Sequence, residues 1–210
     1  MRARVRIRVV VVVFVLAGGS AALAQNLVPN PEFDSLVDLS PWSTNSTGTW
    51  SVGPDATGCL LSSSAAGTSA PSGGGSQFLN MVSDCFEVSG ATTPTLWLSE
   101  LYQSTAQVFA RLTLQFFTDT ACATPLTFSA TVAAGNSATW RRLLGSVDVP
   151  PSTASARLFV DFNPQVAGVP QYTGSVDQVY VGTTALLFAD GLETEGGSAC
   201  RWSEKQGVAP

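Results

Sequence analysis

Residues 107–118 read QVFARLTLQFFT. Val108, Ala110, Leu112, Leu114 and Phe116 alternate with Phe109, Arg111, Thr113, Gln115 and Phe117. Period-two alternation puts one set into a core and the other toward water, which is a strand. A helix with this order would scatter its apolar residues around the cylinder. The stretch therefore predicts an inner strand of an antiparallel sheet, with partners on both sides.

Further strands are expected on both sides of it. Residues 95–102, 126–132, 154–162 and 175–181 carry strand patterns, the third as well alternated as the first. Shorter candidates lie at 26–28, 49–52, 59–62, 77–88, 139–144 and 147–149. Gly, Pro and Asn turns separate them, and no helical periodicity interrupts them. Residues 62–76, SSSAAGTSAPSGGGS, read as a flexible polar loop too poor in large side chains to carry core. Many short strands at this spacing predict an all-β fold, an antiparallel jelly-roll β-sandwich.

The composition agrees. Only 12% of residues are charged, while Ser, Thr, Gly, Ala and Val are abundant, which disfavours helix. The first residues, MRARVRIRVVVVVFVLAGGSAALA, combine an arginine-rich start, an apolar run and a small-residue cleavage site at Ala22-Leu23-Ala24. This is the pattern of a secretory signal peptide, residues 1–24. The apolar run breaks at Gly18-Gly19-Ser20 and is shorter than the roughly 20 residues of a spanning helix. The expected organisation is therefore signal peptide 1–24, sandwich domain 25–183 and acidic tail 184–210. The expected location is outside the cytoplasm: extracellular, periplasmic or at the cell surface. No membrane span is expected after cleavage.

Loss of the four leader arginines leaves six basic residues against 15 acidic ones, a net charge of −9. Such a surface disfavours nucleic acid as a partner, since phosphate binding needs clustered Lys and Arg. There is no histidine, so Ser-His-Asp and Cys-His catalysis are excluded. Cys59, Cys85, Cys122 and Cys200 lack CxxC spacing, and in an oxidising compartment they predict two disulfides. Three connectivities are possible. The strand around Cys85 and the turn at Cys122 favour Cys85–Cys122, leaving Cys59–Cys200.

Several stretches carry a family likeness. NLVPNPEFD at 26–34 with Pro41-Trp42, DCFEVSG at 84–90, PPSTASARLFV at 150–160 and GSVDQVYV at 174–181 occur in that order. Together they resemble the carbohydrate-binding β-sandwich modules attached to bacterial cellulases and xylanases. The resemblance spans residues 26–182 and implies a galactose-binding-domain-like jelly roll. It also implies a structural calcium ion between the first and last strands, with Glu32, Asp34 and Asp177 as matching ligands. Hard oxygen donors suit Ca²⁺. Two positions depart from the pattern: Asp34 stands where Glu is usual, and Gln178 replaces the second Asp of a closing pair. The tail FADGLETEGGSACRWSE is similar to Phe-x-Asp-Gly-Phe-Glu-rich endings of many exported bacterial proteins.

Strand parity names a ligand face. With Leu112, Leu114, Leu158, Val160, Leu96 and Leu98 inward, Arg111, Gln115, Phe159, Asp161 and Trp97 point outward. Trp97, Arg111, Gln115 and Asp161 are the expected binding residues for a polysaccharide or glycan. An aromatic plane stacks on a pyranose and planar polar groups take its hydroxyls. Trp42, Trp50 and Trp140 are expected to pack against the core. The alternative is a structural or adhesive surface scaffold that binds no sugar. The remote alternative is a small jelly-roll glycoside hydrolase, which would need Glu87 and Glu100 across one cleft.

Overall fold

The computed structural model describes residues 26–31, 33, 37–44, 47–58, 63–71, 78–105, 107–166 and 168–185. The signal-peptide region, Cys59, Cys200 and the tail beyond Ala185 lie outside the described residues.

Eleven strands are described: β1 (Ser43–Thr44), β2 (Thr49–Pro54), β3 (Ser63–Thr68), β4 (Leu79–Val82), β5 (Phe86–Glu87) and β6 (Thr95–Ser104), followed by β7 (Val108–Phe117), β8 (Pro125–Ala134), β9 (Arg141–Asp148), β10 (Ser155–Pro164) and β11 (Thr173–Gly182). No helix occurs among the described residues. The first sheet runs β1-β4-β10-β7-β8, with β5 pairing to β10. The second runs β2-β3-β11-β6-β9. Every pairing is antiparallel. The chain passes repeatedly from one sheet to the other, which gives the expected jelly-roll β-sandwich.

The stretch at 107–118 forms β7, an inner strand between β10 and β8. Leu112, Leu114 and Phe116 are fully buried and meet Leu96, Leu98, Val176 and Val181 of the second sheet in one core. Truncating one such leucine to alanine costs about 2–5 kcal/mol. Trp42 is buried and stands 5.5 Å from the Phe33 ring, while Trp50 packs 6.2 Å from Phe162. Both tryptophans pack on the core, as expected. Trp140 is half-buried.

Three expectations change. Residues 63–68, read as flexible loop, form β3, an inner strand between β2 and β11 with Ala65 fully buried. Small side chains are what this position requires. A Cβ on Gly67 would come within 3.0 Å of both Leu79 and the Trp50 ring, so the sheet accepts little more than hydrogen here. The two short candidates at 139–144 and 147–149 form one strand, β9. Residues 26–28 form no strand, although they do pair with the end of β11. Leu27 donates its backbone amide to Val181, and Asn26 bridges Val179 and Val181 with its side-chain amide.

The disulfide Cys85–Cys122 is present, with the Cα atoms 5.9 Å apart. It ties the entry to β5 to the turn after β7. Asp119 organises that turn by accepting amides from Ala121, Ala123 and Thr124.

Candidate functional site

The outer face of the first sheet carries three of the four expected binding residues. Arg111 and Asp161 are direct cross-strand partners on β7 and β10, and Gln115 lies across from Arg157. Asp161 in turn faces Asn80 of β4. Asn80 donates its Nδ2 to Asp161 Oδ1 at 2.5 Å, and Arg111 Nε donates to Oδ2 at 3.2 Å. The Asp161 side chain is 10% exposed and Arg111 42%. Arg111 is therefore held by one nitrogen of its fork, while the rest of the guanidinium remains accessible. An arginine pre-positioned in this way loses little side-chain entropy on taking a further acceptor.

Phe159 lies in the next row, between Val82 of β4 and Thr113 of β7. Its ring is half-buried and flanked by the Asp161–Arg111 pair on one side and Arg157–Gln115 on the other. Gln115 is not free to bind. Its Nε2 donates to the backbone carbonyls of Leu126 and Phe116, bracing β7 against β8. Asn80 Oδ1, Arg157 Nε and Asn163 Nδ2 have no partner among the described residues.

Trp97 does not join this face. It lies on β6 in the second sheet, opposite Ser146 of β9 and Gly182 of β11. It points outward as parity predicts and is 39% exposed, but away from Arg111, Gln115 and Asp161. The expected single four-residue face is thus divided between the two outer faces of the sandwich. The strands β6 and β7 are consecutive in the chain, yet they belong to different sheets.

The pair of glutamates a glycoside hydrolase would need is not assembled. Glu87 is exposed on β5 of the first sheet, while Glu100 is fully buried on the inner face of the second. Burial, and then the negative charge of Asp161, push the Glu100 carboxyl well above its ordinary value.

Of the expected calcium ligands, Asp177 is described, and Glu32 and Asp34 lie outside the described residues. Asp177 is fully buried and accepts amides from Ala56 on one oxygen and Gln178 on the other. The residues flanking Glu32 hold the first segment close by. Pro31 accepts the Val179 amide at 2.9 Å, and the Phe33 carbonyl accepts the Ser63 hydroxyl. A carboxylate is the hard oxygen donor that suits Ca²⁺, and Asp177 brings one to this junction. Among the described residues alone, no group of three acidic, His or Cys side chains is gathered.

The sequence reading did not pick out Asn80 or Asn163. Outward parity did find Phe159, but the preference for tryptophan passed over it.

No protein-family model matches the chain, and no curated protein is similar to it in sequence. Solved structures do share its fold. The enzymatically active domain of bacteriophage CBA120 tailspike protein 4 superposes with a TM-score of 0.55 at 16% identity, over 75% of this chain and 21% of that one. The arabinose-bound α-L-arabinofuranosidase MgGH51 gives 0.53 at 20%, over 78% and 27%. A Family 16 Carbohydrate Binding Module-2 gives 0.51 at 14%, over 74% of this chain and 99% of the module. The chain thus spans about a fifth to a quarter of the first two proteins and matches the third almost end to end. At these identities the likeness is one of fold. It is the fold that the resemblance at 26–182 implies, a jelly-roll β-sandwich.

Proposed function

We propose that this chain is an exported, non-catalytic module that binds a polysaccharide or glycan through the outer face of its first sheet. The observation that carries the reading is the Asn80–Asp161–Arg111 row beside Phe159, with the Arg111 side chain 42% exposed. A pyranose presents an apolar face and a rim of hydroxyls. Phe159 would take the first, and the accessible guanidinium of Arg111 would take the second. Export follows from the leader at residues 1–24, and no helix among the described residues is long and apolar enough to cross a membrane. A calcium ion held by Glu32, Asp34 and Asp177 would fasten the first segment to the last strand.

The test is a pull-down of the chain on insoluble cellulose, xylan and mannan, with affinity electrophoresis in the soluble polymers. Arg111→Ala is expected to weaken binding by about tenfold or more, the loss of one charged hydrogen bond. A folded wild-type protein that binds none of these polymers, nor any sugar on a broad glycan array, would sink this reading. It would leave the structural or adhesive scaffold in its place.

A further inference from the structure

The second sheet carries its own hollow on the opposite side of the molecule. Trp97, Leu98, Ser99, Leu144, Gly145, Tyr180 and Ala185 line a cavity of about 280 Å³. Its shape follows from strand register. Ser99 lies across from Leu144 on β9 and from Tyr180 on β11, and Trp97 lies across from Ser146 and Gly182. Small lining residues, Ser99 and Gly145, leave room between the larger ones. The Tyr180 hydroxyl donates to the Thr184 carbonyl at 2.7 Å, which fixes one wall. Trp97 is 39% exposed and Leu144 57%. Large apolar side chains scattered singly on a surface need no explanation, but a tryptophan, a leucine and a tyrosine around one recess do.

Two polar side chains lie beside the recess and connect to it through Ser99. Arg142 donates from Nη1 to Ser99 Oγ at 3.1 Å and from Nη2 to Gln178 Oε1 at 2.7 Å. Gln178 stands at a register shift in β11, with a φ of 47°. A non-glycine residue held in that region costs about 1–3 kcal/mol, and such positions cluster at binding sites. The bulge here brings the Gln178 amide to Arg142. An indole and a phenol ring in one recess, with a guanidinium and an amide bonded beside it, offer a sugar ring a stacking surface.

We propose that this hollow is a second saccharide site, taking one pyranose unit, and that the molecule bridges two glycan chains. The proposal rests on the reading of the first sheet as a glycan-binding face. At about 280 Å³ the cavity falls just below the roughly 300–1,000 Å³ of drug-sized ligand pockets, so it holds a single ring rather than a run of sugars. The two sites look away from each other across a sandwich whose sheets pack about 10 Å apart. One strand of polysaccharide cannot lie in both without wrapping an edge, so each site takes its own chain. Binding two chains at once converts modest single-site affinities into strong retention on a polymer network.

The experiment is titration calorimetry of the full chain with cellohexaose, xylohexaose and mannohexaose, with folding checked by circular dichroism. The hexasaccharide that binds should show two sites per protein. Trp97→Ala and Leu144→Ala should each leave one site, and Arg111→Ala should leave the other. The wild type should also raise the turbidity of the matching soluble polymer, and each single-site variant should abolish this. One site in the wild type would overturn the bridging proposal; its removal by Arg111→Ala would leave the first-sheet reading standing, and its removal by Trp97→Ala alone would overturn that reading too. No binding to any hexasaccharide or polymer would overturn both.

Discussion

Two carboxyls, at Glu100 and Asp119, should give opposite pH signatures. Glu100 is buried with neither oxygen paired among the described residues, and its pKa is raised well above 4.5 by burial and then by Asp161. The folded state therefore holds a proton that the unfolded chain releases. Its contribution to stability is complete below about pH 4.5 and is lost as pH rises toward the folded pKa. Glu100→Gln should remove that loss, so the variant's melting temperature should gain on the wild type as pH is raised from about 4.5 into the neutral range. An unchanged difference across that range would show that Glu100 does not titrate as argued. Asp119 behaves in the reverse sense. Amides of Ala123, Thr124 and Ala121 hold its pKa below 3.8, so its contribution is present above that pH and lost as pH falls. Asp119→Ala should flatten the acid side of the same curve. Glu100 was legible in part. The parity that turns Leu96 and Leu98 inward turns Glu100 inward too, and only the usual preference of carboxylates for water argued against it. The Asp119 turn was not legible, because its three amides become neighbours only once the chain has turned.

Single strands were most legible where side chains are large and least where they are small. β7, β10 and β6 declare themselves by alternating Leu, Val and Phe. β3 reads SSAAGT and gives no such signal, because what it must fit is a narrow gap beside Trp50 and Leu79. Gly174 on β11 shows the same constraint more sharply. A Cβ there would lie 2.4 Å from Cγ of Phe162, a fully buried ring with no room to withdraw. Gly174→Ala should destabilise by about 1–3 kcal/mol, the range for overpacking a core, and denaturant titration would measure it. A variant as stable as the wild type would mean that the two sheets separate there at no cost. The Cys85–Cys122 bond spans a sequence separation of 37. Replacing both cysteines with alanine should cost about 2–4 kcal/mol in denaturant midpoint experiments. A loss well under 1 kcal/mol would show that Asp119 and the β5–β10 pairing hold this corner without it.

At the scale of the whole molecule, parity says which residues face outward but not which outer face they share. β6 and β7 look like a hairpin from their closeness in the chain, since sequential strands often pair. The turn between them, with Gln107 at a φ of 64°, instead carries the chain from one sheet to the other. That one crossing separates Trp97 from Arg111. The first described segment and the last strand are different: residues 26–31 meet β11, through Leu27 to Val181 and Pro31 to Val179. A cation shared by Glu32, Asp34 and Asp177 would act at this junction, where the first and last parts of the fold are joined. Its effect should therefore be global rather than local. Calcium at one hundred times its dissociation constant would add about 2.7 kcal/mol. For a domain of this size that raises the melting temperature by roughly 5–10 °C. Calorimetric melting in calcium and in EDTA should show this gap in the wild type. Asp177→Asn keeps acceptor oxygen for the Ala56 amide but removes the charge, and should close the gap. Equal melting temperatures in calcium and in EDTA would mean that the amide bonds to Asp177 and the pairing of residues 26–31 hold the junction without a metal.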